Sequence, residues 1–328
     1  MVNVLVTGGC GFVGTNLIEF ILKEKDWDIR VLDDLSHGKL EYLESVKGYS
    51  ESRVTFFKGD IKNEEDVVKA LNDVEFIIHL AAQTSVMDSI ENPKEDAKTN
   101  ILGTINLLER AVDKNVERFV LASSAAPLGE QEMPIHEEKV PEPLSPYGAS
   151  KLAAEGYCSA YAGSHPIKTV ALRFSNVYGP KSWHKGSVVA KFIKQILKGK
   201  TPVIYGDGEQ TRDFIHTEDI SQAIVRSCTE SLNEDFERFQ VGTGLETSVN
   251  ELYRLLEEVL ESQQIDVPEP KYGEKREGEI YRNYADITKA KEELNYSPKI
   301  SLKEGIEQTI RWFINNWAPD ERESDNKQ

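Results

Sequence analysis

The sequence predicts an α/β protein, a doubly wound parallel sheet with helices on both faces and a smaller α/β lobe after it. Three observations carry this expectation. Six short β-rich runs alternate with stretches of helical periodicity through the first half of the chain. The first of these runs passes straight into a glycine-rich turn. After Gly179 the alternation loosens into helical stretches set among loops rich in Gly, Pro and charge. Strands that alternate with helices read as a parallel sheet, because a parallel connection needs a long crossover and a helix supplies it.

Taken in order, the β-rich runs fall at residues 2–6, 28–32, 53–57, 75–80, 117–122 and 167–174. Between the first two, Leu17, Ile18, Ile21 and Leu22 recur on one face of a helix. Ser145 suits a helix N-cap and Pro146 the first helical position, so a helix should open there. In the second half, helical spacing recurs near 188–198, 248–261 and 302–317. We expect a first domain over residues 1–175 and a second lobe over 176–317, with the chain crossing back between them. Residues 318–328 hold the polar stretch PDERESDNKQ without apolar anchors, and they are expected to be disordered.

Charge and cysteine usage exclude several classes. The formal net charge of −17 would repel a phosphate backbone, so nucleic acid is not an expected partner. An anionic ligand then requires a local arginine cluster. The three cysteines, Cys10, Cys158 and Cys228, show no CxxC spacing, which argues against a disulfide framework or a metal site and suits a reducing cytoplasm. No apolar run approaches the roughly 18 residues of a membrane span. The opening MVNVLVTGG enters a strand pattern at once rather than the pattern of a signal peptide.

Two motifs point to chemistry. TGGCGFVG follows the first strand and opens a helix, and it parses through either Gly8 or Gly9 together with Gly11 and Gly14. Glycines there let the backbone turn tightly and approach a pyrophosphate seated on the helix N-terminus. The second strand ends in Asp33, nineteen residues after Gly14. An acid at that place accepts from adenosine ribose hydroxyls and repels a 2′-phosphate, which favours NAD over NADP. The second motif is SPYGASK, which puts Tyr147 and Lys151 four residues apart on one helix face. An ammonium beside a phenol is expected to stabilise the phenolate, making Tyr147 a base able to take a proton from an alcohol. A third stretch, VLASSAAPLGE over 120–130, ends a strand in Ser123 and Ser124 and then offers nothing that ionises until Glu130.

TGGCGFVG, VLDD, LAAQ, LASSAAPLG, SPYGASK, RFSNVYGP and GDGEQTRDFIH, in this order, resemble the extended short-chain dehydrogenase/reductases. The resemblance runs from about Val2 to Trp317 and is nearest to the nucleotide-sugar group typified by UDP-glucose 4-epimerase. It implies a Rossmann-type NAD domain, a nucleotide-sugar lobe, a UDP-sugar substrate and a homodimer. For the cofactor it implies Gly8, Gly11, Phe12, Val13 and Gly14 at the pyrophosphate. It also implies Asp33, Leu35, Ser36 and Gly38 around the ribose, and Asp60 and Ile61 at the adenine. Leu80, Ala81, Ala82, Gln83 and Asn100 would lie along the dinucleotide, with Phe174 and Val177 flanking the nicotinamide. Gln83 stands where family members also carry lysine. For the sugar nucleotide it implies Asn176, Val189, Tyr205, Arg212, Arg276, Glu279 and Asn283. The two arginines would supply the local positive charge that the overall balance lacks.

Ser124, Tyr147 and Lys151 would then be the catalytic set, touching both cofactor and sugar. The 4,6-dehydratases of the family carry Asp and Glu directly after the strand-end hydroxyl residue, and the decarboxylases Ser and Glu. Here those positions are Ala125 and Ala126. The resemblance therefore implies hydride chemistry without elimination, an epimerase that inverts C4 through a 4-keto intermediate. Pro127-Leu128 also replaces the Val-Tyr found in many relatives, which stiffens the loop and removes an aromatic hydroxyl.

Overall fold

The structure is a computed structural model, and it describes residues 2–275 and 280–317. The main sheet has seven parallel strands: β1 (Val2–Thr7), β2 (Trp27–Asp33), β3 (Val54–Lys58), β4 (Phe76–His79), β5 (Arg118–Ser124), β6 (Lys168–Phe174) and β7 (Phe236–Val241). Their order is β7-β6-β5-β4-β1-β2-β3. The longer helices are α1 (Phe12–Glu24), α2 (Glu64–Ala70), α3 (Gly103–Asp113), α4 (Pro146–Ser164), α5 (Val188–Leu197), α6 (Thr217–Thr229), α7 (Val249–Ser262) and α8 (Leu302–Asn316).

Alternating side chains of each strand feed two cores. Val4 and Val6 meet Leu17, Ile18 and Ile21 of α1 and Ile220 and Ile224 of α6 on one face. Leu5 points the other way, into a core with Val67 of α2, Leu107 and Leu108 of α3 and Ala154 of α4. Because both faces are covered, the strands read as continuous apolar runs rather than alternating ones. The chain leaves β1 in one direction along the sheet and β4 in the other. That reversal opens a crevice at their C-terminal ends, where open parallel sheets bind ligands.

A third core lies among the later helices, where Phe192 and Ile193 of α5, Leu252 and Leu256 of α7, and Ile306, Ile310 and Phe313 of α8 pack together. Two features go beyond the sequence expectation. Residues 236–241 form strand β7 at the sheet edge, pairing with β6, although FERFQV interrupts its apolar residues with Glu237 and Arg238. Glu237 is buried there because Lys289 neutralises it. Helix α6 packs on α1, and its pattern was masked by Asp219, Ser221 and Ser227, which are buried with the apolar residues.

Candidate active site

The glycine turn is built by backbone approach. Gly8 has φ +70, and a Cβ on it would lie 2.8 Å from the Ala81 nitrogen, so only glycine lets the segment after β4 pass beneath the turn. A Cβ on Gly14 would lie 2.4 Å from the Gly8 carbonyl oxygen. A Cβ on Gly9 would also meet Val31 at 2.6 Å, so it is the left-handed φ of Gly8 that favours the reading through Gly8, Gly11 and Gly14. Helix α1 begins at Gly11 with no side-chain cap and no acid in its first turn. The N–H groups of Phe12, Val13 and Gly14 are thus left facing outward, as an anion site requires. Gly38 packs against the turn, since a Cβ on it would sit 2.4 Å from the Cys10 carbonyl oxygen.

Asp33 is 7% exposed at the end of β2. Its carboxylate accepts from the backbone N–H groups of Cys10 and Leu35, both at 2.9 Å. Burial raises its pKa, and the two backbone bonds pull it back down. Each oxygen still has a lone pair to offer a ribose hydroxyl. Leu35 takes a left-handed φ of 63 to turn the chain there, and Ser36 is exposed and bonded to Asp34. Asp60 is half-buried and accepts from Lys62 N–H, while Ile61 is buried against Gly103. Leu80, Ala81, Ala82 and Gln83 follow β4 as a half-buried segment. The residues around the turn thus suit a dinucleotide: bare helix-end donors, glycines that admit close approach and an acid at the next strand end.

Asn100 departs from expectation. It is 2% exposed, and its amide clamps the Gln83 backbone, accepting from Gln83 N–H at 2.8 Å and donating to the Gln83 carbonyl at 3.0 Å. It also donates to Asp96 and Ser150. It therefore acts by holding the cofactor segment to the start of α4 rather than by facing a ligand with its side chain.

Ser124 ends β5, and Tyr147 and Lys151 lie on the first turns of α4, whose N-cap is Ser145 accepting from Gly148 N–H at 3.1 Å. The Ser124 hydroxyl lies beside the Tyr147 phenol and accepts from Ala126 N–H at 3.1 Å. Lys151 donates to the Ala122 carbonyl at 2.9 Å. The expectation that the lysine lowers the tyrosine pKa is corrected here. Burial pushes Tyr147 up, with Ser124 pulling it down and Asp96 adding to the rise. The lysine ammonium is committed to Ala122, and burial drops its own pKa from 10.5 to about 8 against the pull of Asp96 and Glu155.

Phe174 ends β6, with Val177 and the exposed Asn176 on the strand just beyond it. Tyr205 is half-buried with the Lys191 ammonium 5.5 Å from its ring centre. Arg212 is half-buried and donates to the Thr211 carbonyl. Asn283 is half-buried between Arg282, which is ion-paired to Glu246, and Tyr284. Val189 is 1% exposed within the third core, so its side chain is not available to a ligand. Arg276 and Glu279 lie outside the described residues.

Sequence reasoning passed over Asp213, which is fully buried. It accepts from the N–H groups of Thr243, Gly244 and Ala285 and from the hydroxyls of Thr243 and Ser175, tying β7's exit to the segment carrying Asn283. It also passed over the ion pair of Glu155 with Arg173. The only signal for the pair is that Glu155 continues the spacing of Tyr147 and Lys151 by another four residues.

A family model described as GDP-mannose 4,6 dehydratase matches residues 5–309. The chain belongs to that family, the extended short-chain dehydrogenase/reductases. Within it, the chain is similar to 4-epimerases of UDP-sugars. A UDP-glucose 4-epimerase of Mycolicibacterium smegmatis is 36% identical over 318 residues, which cover 95% of this chain and 98% of that one. The UDP-glucose 4-epimerase of Thermotoga maritima, solved with UDP-glucose, is 35% identical with a TM-score of 0.87, covering 96% of this chain and 100% of that one. The Thermus thermophilus UDP-glucose 4-epimerase, solved with NAD, is 34% identical with a TM-score of 0.84, covering 96% and 99%.

Proposed function

We propose that the chain is an NAD-dependent nucleotide-sugar 4-epimerase acting on a UDP-hexose or a derivative of one. The observation that carries this reading is Ala125-Ala126 directly after Ser124, beside Tyr147 and Lys151. Bound NAD supplies reversible hydride uptake at C4. Tyr147 takes the C4 hydroxyl proton and later returns it, and the Ser124 hydroxyl holds the sugar oxygen in line. Lys151 places a buried positive charge behind the phenol. With alanines at the two positions after Ser124, no side chain there protonates a leaving hydroxyl or removes a C5 proton. The 4-keto sugar is then reduced again, and a turn about its bond to the diphosphate inverts C4.

In this reading Gly8, Gly11, Phe12, Val13, Gly14 and Asp33 hold the dinucleotide. Asn176, Tyr205, Arg212 and Arg276 hold the sugar nucleotide. The enzyme works in the cytoplasm as a homodimer, a reading supported by the buried free thiols and by the exposed Val86, Met87, Ile90 and Leu102. Static light scattering of the purified protein tests the dimer. For the function, a panel of UDP- and dTDP-sugars is incubated with enzyme and no added NAD, and products are read by NMR. A mixture of C4 epimers is expected. Loss of water or CO2 from the sugar, or strict dependence on consumed NADPH, would overturn the reading.

A further inference from the structure

Two serines end β5, and alternation along a strand sends them to opposite sides. Ser124 meets the Tyr147 phenol. Ser123 is 4% exposed and donates to Glu155 at 2.5 Å. Glu155, on α4, is held in turn by Arg173 of β6, whose Nε and terminal nitrogen donate to the two carboxylate oxygens at 3.0 and 2.7 Å. Both partners are buried, at 0% and 2% side-chain exposure. Each member sits beside a residue of the cleft. Ser123 precedes Ser124, Arg173 precedes Phe174, and Glu155 lies one helical turn beyond Lys151.

We propose that Ser123, Glu155 and Arg173 form a positioning cluster that pins β5, β6 and α4 in the register that presents Ser124, Phe174 and Lys151 to one cleft. The inference rests on the functional reading above. A buried ion pair is a weak source of stability, since an apolar pair of similar volume commonly does as well. Here one Arg173 nitrogen has no hydrogen-bond partner, which further lowers its value as a stabiliser. What the cluster does supply is direction, because a bidentate guanidinium–carboxylate contact fixes angle as well as distance.

The cluster also acts on Lys151 through charge. The groups facing that ammonium are Asp96 from the short helix Pro93–Ala97, Glu155 and Cys158 from α4, and His79 from β4. Asp96 and Glu155 oppose the burial that would discharge it. Removing Glu155 takes away one of the two carboxylates and leaves the Arg173 cation unpaired nearby. Both changes push Lys151 further down.

The experiment compares Glu155→Gln, the double variant Glu155→Gln/Arg173→Met and Ser123→Ala with the unmodified enzyme. Readouts are kcat, KM, the pH profile and the melting temperature across pH. Glu155→Gln is expected to lose about 10²-fold in kcat, the cost of a misplacement of about 1 Å, with KM for the sugar nucleotide within about threefold. Its alkaline limb should move to lower pH. The double variant should melt near the unmodified protein yet stay at least about tenfold down in kcat, because neutrality returns and register does not. Ser123→Ala leaves the ion pair whole and should lower kcat without changing KM.

A second readout does not need turnover. Lys151 binds a proton in the unfolded chain up to its ordinary pKa but sheds it at about 8 when folded. Stability therefore rises with pH between those values, and in Glu155→Gln the rise should begin below pH 8. A double variant with unmodified kcat, pH profile and onset of that rise would overturn the inference and make the cluster merely structural. An unmodified enzyme that inverts no sugar would instead sink the functional reading, and the onset of the rise would still decide the electrostatic role of Glu155.

Discussion

Replacing Lys151 by methionine should abolish turnover and make the protein more stable. The lysine is 4% exposed. Burial holds its pKa at about 8 rather than 10.5, even with Asp96 and Glu155 nearby. The folded value lies below the unfolded one, so the charged ammonium penalises folding at every pH below about 8. At about 1.4 kcal/mol per pH unit, the penalty at pH 7 is about 3 kcal/mol. Methionine fills similar space without charge. It loses the bond to the Ala122 carbonyl, worth about 1 kcal/mol. The net gain is about 2 kcal/mol, a rise of a few degrees in melting temperature. The penalty fades as pH climbs from about 8 toward 10.5, so the gap between the two proteins should narrow over that window. Thermal melts by circular dichroism from pH 7 to 10 read this directly. A variant that melts below the unmodified protein at pH 7, or that keeps its turnover, would refute the reasoning.

Tyr147→Phe removes the proton acceptor and should lower kcat about 10²–10⁴-fold, as loss of general acid–base catalysis does, with little change in sugar-nucleotide affinity by calorimetry. Near-normal turnover would remove Tyr147 from the mechanism. We propose that Asn283 lines the sugar pocket, so Asn283→Tyr should lower rates on UDP-N-acetylhexosamines more than rates on UDP-hexoses. Equal effects would reject the placement of Asn283. Acid should destabilise the fold through His79, which is buried between Thr7 and Thr104 and held near a pKa of about 3. Its neutral form is the one that folds, so stability falls from pH 6.5 downward by about 1.4 kcal/mol per unit. His79→Gln should flatten that slope in melts from pH 7 to 4, and an unchanged slope would assign it elsewhere.

The first six strands were legible because each is a short apolar run closed by turn residues. The glycine turn was legible as a motif but not as a geometry. Neither Gly8 nor Gly9 has room for a side chain, and only the left-handed φ of Gly8, with Ala81 passing beneath it, sets the two apart. Strand β7 and helix α6 were hidden for one shared reason. Their buried polar groups, Glu237 in one and Asp219 in the other, are satisfied by partners distant in sequence, Lys289 and the N–H groups of Lys299 and Ile300. Periodicity cannot see a partner fifty residues or more away. The Asp213 hub and the Glu155–Arg173 pair were hidden too, because each joins different elements across a connection that periodicity does not span. Ser124, Tyr147 and Lys151 were visible because two of them share one helix face and the third ends a strand. The proton affinities of Tyr147 and Lys151 were not visible, since they follow from burial and from Ser124, Asp96 and Glu155 packed around them.

The central claim is that the hydride taken from C4 returns to the same carbon within one active site. UDP-glucose and UDP-N-acetylglucosamine, each deuterated at C4, are incubated with the purified enzyme, a large excess of unlabelled NAD and ordinary water. Products are read by NMR and mass spectrometry. The account predicts C4-inverted sugar that keeps its deuterium, with none in the free NAD pool or in water. Deuterium recovered in the free cofactor, or a product that has lost oxygen or carbon, would contradict it.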